Sequence, residues 1–187
     1  MNVLTEEPSD ERLIEEILAG NDSAFVWLVR RYKQKIFGLA ARFARDADEL
    51  DDICQNVFIK VFENLGTFRH EAPFEHWLAR ITVRTCHDAL RRRKREKYHL
   101  SLDAVHHQIA DGASSSRQAA EEARDLLEKG LSRLRTEERL VITLLELEEK
   151  SVREVAALTG WSEANVKVRA FRARQKLKSL LEKQYAR

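Results

Sequence analysis

The sequence predicts an all-α fold, with two helical domains joined by a flexible linker and a helix-turn-helix in the C-terminal domain. The 187 residues include only six glycines and two prolines, so few positions interrupt a helix. Apolar residues recur at spacings of three and four along most of the chain, which is typical of amphipathic helices. Residues 98–120 break this pattern and are dominated by Ser, His, Ala, Gln and Asp, a composition typical of linkers.

The first predicted domain covers residues 10–97 and contains four helices. Gly20 and Gly66 are expected to end the first and third helices, because glycine readily adopts the conformation that follows a helix. Asp22 or Ser23 is expected to cap the second helix. The expected helices run over residues 10–19, 25–40, 48–65 and 74–95, with a loop from Thr67 to Pro73 before the last of them.

The second predicted domain, residues 121–187, ends in a helix-turn-helix. The first helix of this motif starts with Ser151 and Glu154 at the spacing of a capping box, and Gly160 supplies the turn. Ser162 can cap the second helix. Along that helix one buried stripe is expected, formed by Val166, Ala170, Ala173, Leu177 and Leu180 or Leu181. Two leucine-rich helices precede the motif, near residues 126–134 and 140–147.

The outward face of the second helix of the motif has the composition of a DNA-reading surface. A helix that is anchored by an apolar stripe and carries basic and amide side chains outside fits the major groove of DNA. The residues expected to contact bases are Asn165, Lys167, Val168, Phe171 and Arg172. Those expected to hold phosphates, which orient the helix without specifying sequence, are Arg169, Arg174 and Lys176.

Charge is strongly segregated along the chain, although the formal net charge is only +2. Residues 1–22 hold seven acids and one base, and residues 46–63 hold six acids and one base. In contrast, residues 91–97 hold six bases and one acid, and residues 161–187 hold eight bases and two acids. Such a distribution favours a protein that contacts nucleic acid with some faces and a protein partner with others.

The loop and the fourth helix of the first domain carry a second chemical signal, a mixture of aromatic and basic side chains. Phe68, Phe74 and Trp77 could stack on bases while the basic side chains beside them hold a phosphodiester chain, as single-stranded nucleic acid requires. These basic side chains are Arg69, His70, Arg80, Arg84, His87 and Arg91. The alternative is that the aromatic residues belong to the core and that the basic run at 91–97 is a solvated helix end.

The sequence also indicates the cellular compartment in which the protein works. The N-terminus is acidic and lacks the apolar core of a signal peptide, and no apolar run approaches the ~20 residues of a membrane span, so we expect a cytoplasmic protein. Cys54 and Cys86 fall inside helical patterns and are interpreted as small buried residues. A redox or metal-binding pair is the alternative interpretation.

Three motifs, in order, resemble those of one family. The stretch 49–62 resembles the second conserved region of bacterial sigma factors. Residues 67–69 and 74–81, continuing to 88–93, resemble their promoter-melting region, and residues 166–169 with 172–177 resemble their fourth region. The chain is therefore similar to the extracytoplasmic-function (ECF) sigma factors, the smallest class, which have only these two domains.

The resemblance implies a protein that binds core RNA polymerase and recognises promoter DNA in both melted and duplex form. The third helix would dock on the clamp helices of the polymerase β′ subunit through Asp48, Glu49, Asp51, Asp52 and Gln55. The −10 element would be opened and captured by Phe68, Arg69, His70, Glu71, Trp77, Arg80, Arg84, His87, Arg91, Arg92 and Arg93. The helix-turn-helix would read the −35 element, and the leucine-rich face before it would pack internally or meet the polymerase β flap.

The resemblance also implies an anti-sigma factor that keeps the protein inactive and through which it could be held at the membrane. It implies no membrane insertion, cofactor, metal, small-molecule substrate or catalytic residue. Arg84 departs from the family, which commonly has an asparagine near the middle of this helix. Val168 stands where the family frequently has a small hydroxyl residue, so the promoter sequence does not follow from the resemblance.

Two other classes of function stay open at this stage. An ordinary helix-turn-helix regulator would act without being a polymerase subunit, but it gives no reason for an acidic face and an aromatic–basic loop in the first domain. A nuclease or metal-dependent hydrolase, or a metal sensor in the linker, would use the histidines. No HExxH motif or ligand spacing supports a metal site among His70, His76, His87, His99, His106 and His107.

Overall fold

Helices account for every regular element in the residues that the structure, a computed structural model, describes: 7–100 and 126–185. Contacts divide the chain into two compact units, residues 1–86 and residues 87–187. The predicted all-α class with two domains is confirmed. Most of the predicted linker lies outside the described residues, and its limits remain a prediction.

Four helices make up the first half of the chain: α1 (Asp10–Leu18), α2 (Phe25–Ala41), α3 (Ala47–Asn64) and α4 (Phe74–Leu100). The Oγ of Ser9 accepts a hydrogen bond from the backbone N–H of Arg12 at 3.3 Å and caps α1. The predicted side-chain cap of α2 is wrong. A 3₁₀ turn, Asp22–Ala24, leads directly into α2, and Ala24 at the N-cap offers no side-chain acceptor.

The start of α3 is fixed by two carboxylates. Oδ1 of Asp46, the N-cap residue, accepts from the backbone N–H of Glu49 at 2.8 Å. In turn Oε2 of Glu49 accepts from the backbone N–H of Arg45 at 2.8 Å. Two backbone donors that the helix cannot satisfy itself are thereby paired, and Glu49 is drawn inward until only 6% of it is exposed.

The core of the first half is apolar and lies on the facing sides of its helices. Its largest fully buried side chains are Leu13, Ile14, Leu28, Ile36, Phe43, Ile53, Val57, Val61, Leu65 and Val83. Two threonines of α4 are buried with them, and their hydroxyls donate to backbone carbonyls one turn earlier, Thr82 to Leu78 and Thr85 to Ile81, both at 2.9 Å. Because this side of α4 is buried, the opposite side faces solvent.

The second half contains α5 (126–132), α6 (Thr136–Ile142), α7 (Val152–Thr159) and α8 (Glu163–Tyr185). A π-helical turn, Thr143–Leu147, extends α6 and was not expected from the leucine spacing. A core cluster holds α5, α6 and α8 together: Leu131, Leu134, Ile142 and Ala173, with Leu177 packed against it. Gly130 lets α8 approach closely, because a Cβ there would lie 3.1 Å from Cδ2 of Leu177.

The predicted helix-turn-helix is confirmed in α7 and α8. Oγ of Ser151 accepts from the N–H of Glu154 at 3.2 Å, and Oε2 of Glu154 accepts from the N–H of Ser151 at 2.8 Å, which completes the capping box. Gly160 follows α7 at φ +78°, in the left-handed region that glycine adopts without strain. Ser162 then accepts from the N–H of Asn165 at 3.3 Å and starts α8.

We expect Asp46→Ala to lower the free energy of unfolding by about 1 kcal/mol, because the variant loses the N-cap of α3 and leaves a backbone donor unsatisfied. Asp51→Ala is the matched control, since Asp51 lies on the same helix and is exposed. Its effect should stay within about 0.5 kcal/mol. Urea unfolding followed by circular dichroism measures both, and equal losses would contradict the capping role.

Cys54 and Cys86 are free and buried, as their interpretation as small core residues requires. Burial raises the pKa of Cys54 to about 11 and that of Cys86 to about 12, because a thiolate is poorly solvated there. We therefore expect iodoacetamide at about pH 8 to label neither thiol in the native protein and both in the unfolded protein. Mass spectrometry reads the adducts, and rapid native labelling would contradict the assignment.

Candidate nucleic-acid interface

Four rings around the loop before α4 form one aromatic cluster: Phe68, His70, Phe74 and Trp77. The ring centroid of Phe68 lies 4.5 Å from that of His70, 5.5 Å from that of Phe74 and 5.6 Å from that of Trp77. Phe74 is only 3% exposed, whereas Phe68 and Trp77 are half-buried and His70 is exposed. Phe74 thus anchors the cluster in the core, and its three partners remain open to a stacked base.

The backbone of the loop holds the cluster in shape. The N–H of Phe68 donates to the carbonyl of Leu65 at 3.0 Å and closes a 3₁₀ turn. His70 adopts φ +55°, a left-handed conformation that is unfavourable for a residue with a Cβ. Arg69 and Glu71, on either side of His70, are exposed. Strain at a loop tip that carries aromatic side chains is typical of a functional site.

The solvent side of α4 continues the cluster with positive charge. Arg80 and Arg84 are exposed one turn apart, opposite the buried stripe of this helix. Of the remaining predicted residues, Arg91 and Arg92 are exposed, and His87 and Arg93 are half-buried. Arg92 lies 3.8 Å from Glu96, so part of its charge is already balanced. A phosphate chain could follow this side of α4 away from the rings.

The two faces of α8 are the ones that the spacing predicts. Val166, Ala170 and Ala173 are buried, and Leu177 packs against the core. The opposite face exposes Asn165, Lys167, Arg172 and Lys176, together with Val168 and Phe171. Phe171 is 63% exposed and Val168 is 47% exposed, which is high for apolar side chains on a helix that also contributes to a core.

Two arginines of α8 have partners that sequence reasoning missed. The guanidinium of Arg169 lies over the indole of Trp161, 4.2 Å from the ring centroid. Nη2 of Arg174 lies 2.6 Å from Oε1 of Glu146, a residue of the π-helical turn. These pairs are separated by eight and 28 positions, so no helical spacing could reveal them. The predicted role of Arg174 as a phosphate clamp requires its ion pair with Glu146 to open.

The acidic face of α3, defined as Asp48, Asp51, Asp52 and Gln55, is exposed. Asp51, Asp52 and Gln55 follow Asp48 by three, four and seven residues, so the four positions share one side of the helix. Glu49, which was predicted to act with them, is corrected here, because it is buried and accepts the backbone N–H of Arg45. Residue type indicated an acidic surface, but only the capping geometry separates Glu49 from it.

Comparisons with known proteins identify the family. The family profile described as Sigma-70 region 2 matches residues 28–96, and the one described as Sigma-70, region 4 matches residues 124–177. The RNA polymerase sigma-H factor of Pseudomonas aeruginosa is 33% identical over 188 residues, covering 96% of this chain and 97% of the relative. The ECF RNA polymerase sigma-E factor of Escherichia coli K12 is 30% identical over 180 residues, covering 92% and 94%. This chain is an ECF sigma factor.

A solved structure agrees with this membership. The structure of CnrH in complex with the cytosolic domain of CnrY superposes on this sigma factor with a TM-score of 0.59 and 28% identity, covering 92% of this chain and 97% of CnrH. The resemblance predicted from the three motifs is therefore confirmed. The region 2 profile contains the acidic face, the aromatic cluster and the basic side of α4, and the region 4 profile contains α7 and α8 as far as residue 177.

In the described ranges, 7–100 and 126–185, no three His, Cys, Asp or Glu side chains come together as a metal site would require. His106 and His107, two of the linker histidines, lie outside the described residues. None of the described helices is both long and apolar enough to span a membrane.

Proposed function

We propose that this sigma factor binds core RNA polymerase through the acidic face of α3, opens the −10 element with the aromatic cluster and α4, and anchors at the −35 element through α8. The observation that carries the proposal is the presence in one chain of an exposed acidic helix face, a ring cluster at a loop tip and a basic recognition helix. A regulator that only bound duplex DNA would need the last of these alone. The protein is a non-catalytic subunit in this scheme.

Docking on the polymerase is supported by the geometry of α3. Asp48, Asp51 and Asp52 present three carboxylates on one exposed side, and Gln55 adds an amide one turn further on. Such a surface complements a basic helical partner, for which the clamp helices of the β′ subunit are proposed. Charge complementarity of this kind sets the register and the association rate of an interface more than its total affinity.

Opening of the −10 element requires a base to leave the duplex stack, which costs a few kcal/mol. Stacking on an aromatic side chain returns ~1–3 kcal/mol per base. The cluster offers rings for this purpose at Phe68, His70 and Trp77, and Arg80 and Arg84 lie where the sugar–phosphate chain of the captured strand would run. A charged guanidinium at position 84, in place of the amide common in the family, should alter the base preference at the −10 element.

Recognition of the −35 element is proposed for the exposed face of α8. Lys167 and Arg172 suit guanine, Asn165 suits adenine, and Val168 and Phe171 suit the methyl group of thymine. Arg169 and Lys176 would hold phosphates, as would Arg174 once its ion pair with Glu146 opens. The high exposure of Phe171 supports this division, because burial against a base would remove apolar surface from water.

We further propose that the protein is cytoplasmic and that an anti-sigma factor controls it. The anti-sigma factor could also hold it at the membrane. The acidic face and the apolar side chains exposed on α2 and α3, among them Trp27, Ile59 and Phe62, leave surface that an inhibitor could cover. The relative CnrH, solved with the cytosolic domain of CnrY, supports a protein partner of this kind. The domain limits 10–97 and 121–187 and contact with the β flap belong to the same proposal.

Transcription in vitro tests the polymerase role. Core RNA polymerase and this protein should together select promoters from a library randomised at both elements and produce defined transcripts. The double variant Asp51→Lys, Asp52→Lys should weaken holoenzyme formation by about tenfold or more, because it reverses the docking charge. The control is Glu11→Lys, Glu15→Lys, which makes the same charge change on the exposed side of α1.

Equal binding by the two charge-reversal variants would contradict docking through the acidic face. A protein that binds duplex DNA but neither joins the core enzyme nor yields a transcript would contradict the proposed docking and opening. Fluorescence anisotropy of labelled protein titrated with core enzyme measures the first outcome, and runoff transcription measures the second.

Variants on α8 test the proposed division of labour. Arg172→Ala should weaken −35 binding by ~1–3 kcal/mol and relax the base preference at one position. Lys176→Ala should weaken binding about equally for all sequences and lower the slope of log affinity against log salt by about 1. Anisotropy with −35 duplexes of single substitutions measures both, and a loss by Arg172→Ala that is uniform across sequences would refute base reading.

A further inference from the structure

We propose that Asp10 and Tyr32 are positioning residues for the aromatic cluster, so that α1 and α2 set the geometry in which the −10 element is opened. The inference rests on the proposed function, because it assigns these residues to the opening step. Neither residue lies in the three motifs that resemble those of sigma factors. Both belong to the part of the chain that precedes the predicted docking and melting surfaces.

The first link is polar. The hydroxyl of Tyr32 donates a hydrogen bond to Oδ2 of Asp10, and the guanidinium of Arg31 pairs with Oδ1 of the same carboxylate. Arg31 also donates to the backbone carbonyl of Pro8 at 2.6 Å. Tyr32 is only 6% exposed, so Asp10 gives its hydroxyl a partner that water could not readily supply. The far end of the phenol ring is thereby fixed to the first turn of α1.

The second link is aromatic. The ring of Tyr32 meets that of Phe74 edge-on, with centroids 5.5 Å apart and planes at 63°. Phe74 in turn touches Phe68 edge-on at 5.5 Å and Trp77 at 5.6 Å. Phe74 therefore contacts both Tyr32 and the two half-buried rings of the cluster. Because protein interiors are close-packed, displacement of the Tyr32 ring would shift Phe74 and, through it, the rings of Phe68 and Trp77.

A third contact, an ion pair, joins α2 to α4. Nζ of Lys35 lies 2.9 Å from Oε1 of Glu75, next to the Tyr32–Phe74 contact on both helices. Both side chains are largely exposed, so this ion pair contributes little by itself. It indicates, however, that α2 holds the first turn of α4, where Phe74 lies. The buried phenol and its carboxylate are the stronger part of this attachment.

Opening kinetics test the proposal. Tyr32→Phe keeps the ring and removes the hydroxyl, and Asp10→Asn removes the carboxylate charge. The probe is a duplex promoter fragment selected by the wild-type holoenzyme, and permanganate reactivity of −10 thymines follows opening at saturating holoenzyme. We expect each variant to lower the opening rate constant by about five- to tenfold and the double variant to be no slower than either alone. Affinity for core enzyme should not change.

The matched control is Arg12→Gln, which breaks an exposed ion pair with Glu16 on the same helix α1. A merely structural role of Tyr32 would lower the unfolding temperature but leave the saturating opening rate at the wild-type value, and that result would overturn the proposal. If the wild-type holoenzyme opened no promoter, the proposed opening of the −10 element would itself fail. The two failures are therefore distinguishable.

A second measurement needs neither polymerase nor promoter. In a chain carrying Trp27→Phe and Trp161→Phe, the remaining indole is that of Trp77 in the cluster. Tyr32→Phe in this background should increase acrylamide quenching of the Trp77 fluorescence, because the cluster loses its support. Arg12→Gln should leave the quenching as it is. Equal quenching in all three proteins would contradict the positioning role.

Discussion

Burial of one side of a helix fixes what its other side can touch, and both proposed nucleic-acid surfaces depend on this constraint. On α8, the buried residues Val166, Ala170 and Ala173 leave Val168 and Phe171 facing outward, because helical side chains repeat every 3.6 residues. The buried side of α4 orients Arg80 in the same way. A change in either buried stripe would therefore act on DNA recognition without any contact between the changed residue and DNA.

The recognition helix combines an unfavourable exposure with a favourable restraint. Phe171 keeps apolar surface in water that a thymine methyl could cover, so its contribution is gained only in the complex. Arg169 differs, because its guanidinium already lies over Trp161 in the free protein. A cation–π contact is worth ~0.5–1 kcal/mol at an exposed site. Ordering a free arginine side chain costs up to ~2 kcal/mol of rotamer entropy, and the contact with Trp161 means that Arg169 has already lost part of that freedom before it binds DNA.

Local patterns in the sequence were sufficient for most of the fold. The capping box of Ser151 and Glu154, the turn at Gly160 and the stripe on α8 all depend on residues within one or two turns of each other, which periodicity can read. The start of α2 was missed because a 3₁₀ turn, not a side chain, leads into it. The π-helical turn after α6 shows the same limit, since leucine spacing does not distinguish it from an ordinary helical turn.

The candidate site was predictable in composition but not in pairing. An acidic stretch could be found, yet Glu49 is separated from its neighbours only by a hydrogen bond to the backbone of Arg45. Glu146 and Trp161 carry no local signal of their contacts with Arg174 and Arg169, because these contacts form between elements. The attachment of Tyr32 to Asp10 spans 22 positions and two helices, which periodicity does not relate.

Because charge is segregated along the chain, the basic side of α4 and the acidic face of α3 both act over a short range. With a net charge of only +2, the whole chain exerts little long-range attraction on DNA. At physiological salt the Debye length is ~8 Å, so the basic side of α4 and the acidic face of α3 each act almost only on what is already near. In the proposed function, a partner docked on the acidic face would bring the aromatic cluster to the strand, so assembly with the polymerase would select where the rings act.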